Sequence, residues 1–373
     1  MIYGKNLFEG DNALINDRSI RTFSLNESVN YSESKADLEK KLKDVGVFEN
    51  EHLLALLYGD VNIQEFANYL SFTKSGIDTL MNEAFNQTKY STVDLIQDYT
   101  NYPLGVALKK ATQLLVESEK YIEPTIFGQD HGNKADSFIN ILYTTILRDS
   151  YVPSMQFPTF GVKNQGKFPT CTAFAATASN EYIKSKYGLS ESYVYCNTKA
   201  SDNYKQPETT LEWTCRTLNL VGQCSVRYYT YEGNSTNVCT DAVINKILSE
   251  TEAPINKAAI VKFNPADTTN LMKAIENGAF PMISIRIFPS FYNSWTKLTG
   301  YVGLNLPWEN EIGGHAICLT GYLRDQNWPG GGAFVFKNSW GKDWAKESAY
   351  SEGFGIIPFE YLRKHCLEAF VAL

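Results

Sequence analysis

Residues 164–174 read NQGKFPTCTAF and place one thiol, Cys171, where a helix should begin. Thr170 is a good N-cap and Pro169 stops the helix extending backwards, so Cys171 falls in the first turn. The dipole and unpaired N–H groups at that end favour a thiolate, the nucleophilic form of cysteine. A buried structural cysteine that opens a helix would read the same way. Of the four histidines, His315 stands in EIGGHAICLTGY, after two glycines that leave room beside the ring. Asn338 stands in FVFKNSWGKDW. If the two face each other across an antiparallel hairpin, its midpoint is position 326.5, inside the turn segment RDQNWPGGG (324–332). An amide oxygen beside a ring N–H fixes the imidazole tautomer and leaves the other nitrogen to serve a thiol. Cysteine, histidine and asparagine together suit thiol nucleophilic catalysis.

These residues need a helix for the thiol and strands for the other two. The run 171–187, CTAFAATASNEYIKSKY, reads as a helix ended by Gly188, with Phe174, Ala178 and Tyr182 along one stripe. Its alanines imply close approach by neighbours. The last third alternates, as in HAICLTGY, GGAFVFKNSW and GFGIIPF, and reads as strands. A helical lobe facing a β-rich lobe leaves a cleft between them. Upstream, residues 1–35 read as short strands or a hairpin, and the pattern turns helical from about 36. PLGVALKKATQLLVESEKYIEP, from Pro103 to Pro124, reads as the clearest helix of this half. GQDHGNKAD (128–136) reads as a linker or exposed cleavage loop, and residues 120–150 as the place of a cut.

The 373 residues suffice for a sizeable core and for more than one domain. A net charge of −7 with no basic patch argues against nucleic acid, and no run of eighteen apolar residues spans a membrane. No cofactor or metal is expected, and no C-x-x-C pair occurs among the seven cysteines. All seven follow residue 170, and an odd count fits one free thiol plus three bridges. The start, MIYGKNLFEGDN, lacks the layout of a secretion signal, so the chain is either cytosolic or has lost a leader.

From about residue 150 to its end the chain resembles the papain-like cysteine proteases, bacterial-type members in particular. NQGKFPTCTAF resembles the family's Gln-Gly…Cys…Ala-Phe block, GGHAICLTGY its His block and FKNSWGKDW its Asn-Ser-Trp-Gly block. LSESYVYC, YTYEGNSTNVC and GFGIIPFEYL resemble further segments in the family's order. The resemblance implies an α+β, two-lobe fold with the site in the cleft, and an N-terminal, mostly helical extension. It implies Cys171 as nucleophile, His315 as general base and then acid, and Asn338 as the group orienting His315. It further implies Gln165, with the backbone N–H of Cys171, as oxyanion donor, and Trp340 as the cover over the His–Asn bond. The chain departs from the family where Pro169 replaces a glycine and the cysteine ahead of the nucleophile is missing. The Gly-Gly stretch that pairs with substrate backbone is not recognisable in CNTKASDNYKQPETTLEW.

The resemblance also implies a Cys196–Cys239 bridge; Cys215–Cys224 and Cys318–Cys366 complete the expected set. Three bridges imply an oxidising compartment, hence secretion. The chain is expected to divide into residues 1–135, an inhibitory pro-region, and 136–373, the peptidase domain. The expected product is a monomeric cysteine endopeptidase acting on protein or peptide substrates, with its own N-terminal region as intramolecular inhibitor. Two rivals remain open: an acyl-transferase or deamidase on the same fold, and a silent papain-like binding protein.

Overall fold

The computed structural model describes residues 35–58, 63–88, 102–118, 123–153, 161–184, 188–231, 239 and 256–373. The strands or hairpin expected over 1–35 lie outside the described residues, apart from Lys35. Four short helices come first: α1 (Lys35–Asp44), α2 (Asn50–Leu57), α3 (Ile63–Tyr69) and α4 (Lys74–Asn86). In α4, Thr73 caps the helix by accepting from Gly76 N, and Ile77, Leu80, Met81 and Ala84 recur at helical spacing and are buried. Helix α2, NEHLLALL, is buried on every side. These helices share one core with Trp295 and Leu306 from the C-terminal part of the chain.

Helix α5 (Leu108–Ser118) begins five residues later than Pro103, where the sequence places its start. Residues 103–107 are extended, because their backbone groups bond to other segments. The local helix pattern loses there to long-range pairing. Strand β1 (Thr125–Phe127), helix α6 (Lys134–Thr144) and strand β2 (Ser150–Tyr151) follow. The stretch expected to be a loose linker at 128–136 therefore contains the first turn of α6. The expected boundary at 135/136 cuts through that helix.

Three helices form one lobe: α7 (Cys171–Lys184), α8 (Glu191–Ser201) and α9 (Leu211–Leu220). The alanines of α7 let it lie against the long strand β5 (Gly313–Arg324). The remaining elements are β3 (Ile260–Phe263), α10 (Thr268–Glu276), β4 (Met282–Ile287), α11 (Ser294–Thr299), β6 (Gly332–Lys337), β7 (Phe354–Pro358), α12 (Phe359–His365) and β8 (Cys366–Ala372). The strands form one antiparallel sheet of order β1-β3-β8-β4-β5-β6-β7, with β2 added to β5. This α+β arrangement is the expected one.

Of the three expected bridges, Cys196–Cys239 is formed, with Cα atoms 5.4 Å apart. The other two are not. The Cys215 thiol is buried 3.7 Å from Met282 Sδ, and Cys318 and Cys366 are buried thiols that reach backbone carbonyls. They behave as small core residues.

Candidate functional site

Cys171 opens α7 and is wholly buried. Its Sγ accepts from the N–H of Ala316, the residue after His315, at 3.4 Å. Burial pushes the thiol up to about 12, although the N–H groups of Ala316, Gly105, Thr172 and Cys171 pull the other way.

His315 lies in β5 opposite Ile285 of β4. Its Nε2 is 2.8 Å from Asn338 Oδ1. That oxygen also accepts from Ser339 N at 2.8 Å, which identifies it as the amide oxygen rather than the nitrogen. Nε2 therefore carries the proton. Nδ1 is buried with no hydrogen-bond partner and is the nitrogen left for the thiol. The hairpin register differs from the expected one. Cys318 pairs with Lys337, with a bulge between Leu319 and Gly321, so His315 and Asn338 meet on the diagonal rather than directly opposed. Trp340 stacks on the ring with centroids 4.5 Å apart.

Burial lowers His315 to about 4, against the opposing pull of the Asn338 bond. A depressed value means that the unfolded chain takes up this proton before the folded one does. Stability is then full above pH 6.5 and falls by roughly 3 kcal/mol as pH drops towards 4. Between pH 5 and 9 neither Cys171 nor His315 changes charge in the intact chain. Alkylation of Cys171 by iodoacetamide, which needs the thiolate, should accordingly be slow and still climbing about tenfold per pH unit at pH 9. A rate that levels off near pH 8.5 would show an ordinary solvated thiol instead.

Gln165 is buried beside them. Its backbone N–H bonds to Ser339 O at 2.8 Å, and its Oε1 accepts from Ser339 Oγ at 2.5 Å. One Nε2–H donates to Phe168 O at 2.7 Å, and the amide also reaches Pro103 O at 3.2 Å. Tyr231 OH donates to Gln165 O and bonds Thr170 Oγ1, fixing the turn ahead of Cys171.

Lys163 fixes the same stretch of chain. Its Nζ bonds Glu181 at 2.7 Å on α7 and Glu191 at 2.5 Å on α8, both carboxylates buried. Burial works against the Lys163 charge, but Glu191 and then Glu181 outweigh it and leave its pKa above the usual lysine value. Lys163→Met leaves two buried carboxylates without their cation and should cost about 3 kcal/mol. A chemical-denaturation curve checks this, and an unchanged midpoint would refute it.

Residues 102–107 run across this site. Gly105 N and Val106 N both donate to Gly314 O, at 3.1 and 3.0 Å. Gly105 O accepts from Thr209 N at 3.1 Å, and Ala107 N donates to Thr209 O at 2.9 Å. A β-carbon on Gly105 would overlap the Pro169 carbonyl and press on Cys171 Sγ at 3.0 Å, so only glycine approaches this closely. Tyr102 packs on Trp340 with centroids 5.2 Å apart, and its carbonyl accepts from Tyr292 OH. The structure thus brings together Cys171, His315, Asn338, Gln165 and Trp340. Sequence reasoning missed Ser339, which lies inside the quoted Asn-Ser-Trp-Gly block, and Thr209, for which no local signal exists.

The sequence profile of the papain family cysteine proteases matches residues 155–352, more than half of the chain. The chain belongs to that family. A peptidase C1-like protein of Acanthamoeba polyphaga mimivirus, itself uncharacterised, is 24% identical over 218 residues. That match covers 53% of this chain and 64% of the relative's length. Among solved structures, procathepsin B S9 from Trypanosoma congolense superposes with a TM-score of 0.50 at 12% identity, covering 81% of this chain and 99% of that one. A structure from work on the mite allergens Blo t 1 and Der p 1 gives 0.50 at 14%, covering 92% and 96%. These likenesses show the papain fold. No helix among the described residues is long and apolar enough to cross a membrane.

Proposed function

We propose that this chain is a cysteine endopeptidase made as an autoinhibited zymogen. The observation that carries the reading is the course of residues 102–107. The Pro103 carbonyl takes an N–H of Gln165, and Gly105, its own N–H held by Gly314 O, lies directly against the Cys171 sulfur. Backbone groups of Thr209 and Gly314 that an extended peptide would use are already filled.

Once the cleft is open, His315 Nδ1 takes the thiol proton and Sγ adds to a peptide carbonyl carbon. The carbonyl oxygen becomes an oxyanion. It is met by the Cys171 N–H and by the Gln165 N–H freed from Pro103, while the other Gln165 N–H stays on Phe168. His315 then gives its proton to the leaving amine, and the C–N bond breaks to a thioacyl enzyme. Water, deprotonated by His315, adds to the thioacyl carbon; the C–S bond then breaks, the acid leaves and His315 returns the proton to the sulfur. Asn338 keeps Nε2–H engaged throughout, and Trp340 keeps water from that bond.

Hydrolysis of a fluorogenic peptide, together with labelling of Cys171 by a thiol-reactive epoxide, tests the assignment. Asn338→Ala should lower kcat by about 10²-fold, since the ring remains but loses the group that orients it. The thiol should stay alkylatable. A wild-type rate in this variant would sink the orienting role. The fit of one chain's own segment in the cleft supports a monomer, and the Cys196–Cys239 bridge supports a place outside the reducing cytosol.

A further inference from the structure

We propose that residues 125–147 are a permanent part of the peptidase body, and that the maturation cut falls N-terminal to Thr125. The position of the cut rests on the zymogen reading; the permanence of 125–147 does not.

A piece that leaves should carry its own core and meet the body over a limited surface. Helices α1–α4 meet the first of these conditions, since they carry a core of their own. Their core takes in Trp295 and Leu306 from the body, with Tyr301 and Trp308 at its edge, while His52 packs on Trp328 and Gly46 lies against Leu304. Residues 125–147 are built the opposite way. Strand β1 is an edge of the main sheet, with Thr125, Ile126 and Phe127 paired to Lys262, Val261 and Ile260 of β3. Phe127 meets Phe370 of β8 edge to face, with centroids 5.1 Å apart. Helix α6 has no core of its own. Its buried residues Ala135, Phe138 and Leu142 belong to the same cluster as Phe263 of β3 and Leu271, Met272 and Ile275 of α10. Removing α6 would uncover that cluster.

The turn between them is clamped. Asn219, at the end of α9, accepts from Gln129 N at 2.8 Å and donates to Gln129 O at 2.7 Å. His131 Nε2 lies 2.7 Å from the Asn219 carbonyl oxygen. Gly128 has φ +76°, and a β-carbon there would overlap Asn219 Oδ1. Asp130 accepts from Ala135 N and so caps α6. Beyond the helix, Thr145 Oγ1 accepts from Asn277 Nδ2 at 2.6 Å, and Arg148 N donates to Glu276 Oε1 at 3.1 Å. The Gly, Asn and Asp residues that make 128–136 resemble an open loop are thus turn and capping chemistry on a docked segment. A protease needs a locally opened stretch of chain, and this one is held at both ends.

The test uses full-length Cys171→Ala protein, which cannot cut itself, under limited digestion with thermolysin. N-terminal sequencing and intact mass identify the first large stable fragment. It should begin at or before Thr125. A fragment beginning within 129–148 would overturn the proposal. In parallel, wild-type chain is left to mature and its new N-terminus is read, with the same expectation and the same contrary result. If wild-type proves fully active with no cut at all, the zymogen reading and the maturation cut fall together, and the digestion arm still decides the permanence of 125–147. Asn219→Ala should raise the rate of cutting within 128–133 by about tenfold or more. An unchanged rate would show that the clamp does not protect the turn.

Discussion

Cys171→Ala and His315→Ala should each slow hydrolysis of a fluorogenic peptide by the matured enzyme by about 10⁴-fold or more, and the double variant should be little worse than either. In the proposed mechanism the sulfur bonds to the substrate and the imidazole takes its proton. Neither half works without the other, so their losses do not add. Cys171→Ala removes a single sulfur from a buried site and should leave the fold intact, as circular dichroism would show. Epoxide labelling should vanish with the sulfur but survive, more slowly, in His315→Ala. More than a few per cent of wild-type activity in Cys171→Ala would mean that the nucleophile lies elsewhere.

The second large effect concerns activation. Full-length protein should turn over the peptide on the order of 100-fold more slowly than the cut enzyme, and the purified N-terminal fragment should restore inhibition when added back. In the zymogen reading a tether holds residues 102–107 over the cleft at an effective concentration of about the millimolar range, so modest contacts suffice while the chain is whole. Cutting dilutes the fragment and the block is lost. Acid works in the same direction. With His315 lowered to about 4 under the segment, the open state takes up its proton at higher pH than the closed one, and falling pH favours opening. Equal turnover by whole and cut chains would make the first part of the molecule an accessory domain. Gly105→Ala in the uncut chain should raise its basal activity, because a β-carbon cannot fit between Pro169 and the sulfur.

Much of the site was legible because its residues sit in short blocks with strong local signals. A cap and a proline precede Cys171, two glycines precede His315, and a turn-rich segment separates His315 from Asn338. The α+β architecture followed from helical and alternating patterns in different parts of the chain. What stayed hidden depends on long-range contact. Thr209 looks like any threonine ahead of a helix, and only its neighbours Gly105 and Ala107 give its backbone a task. Residues 103–107 carry helix-compatible chemistry, yet bonds to Gly314 and Thr209 hold them extended. Cys215 is expected to bridge Cys224, joining a helix to the turn after it, whereas it lies buried against Met282 and stays a thiol. The hairpin bulge moved the register by an amount that no turn composition encodes.

The grip of Ser339 on Gln165 has a consequence for the kinetics of switching on. The amide that would receive the oxyanion is already aimed in the covered enzyme, held by Ser339 on one side and Phe168 on the other. His315 and Asn338 are likewise already joined. Uncovering the cleft therefore needs no rearrangement of the Gln165 amide or of the His315–Asn338 pair. Full turnover should appear as soon as the covering segment departs, with no lag between the two events in a stopped-flow record.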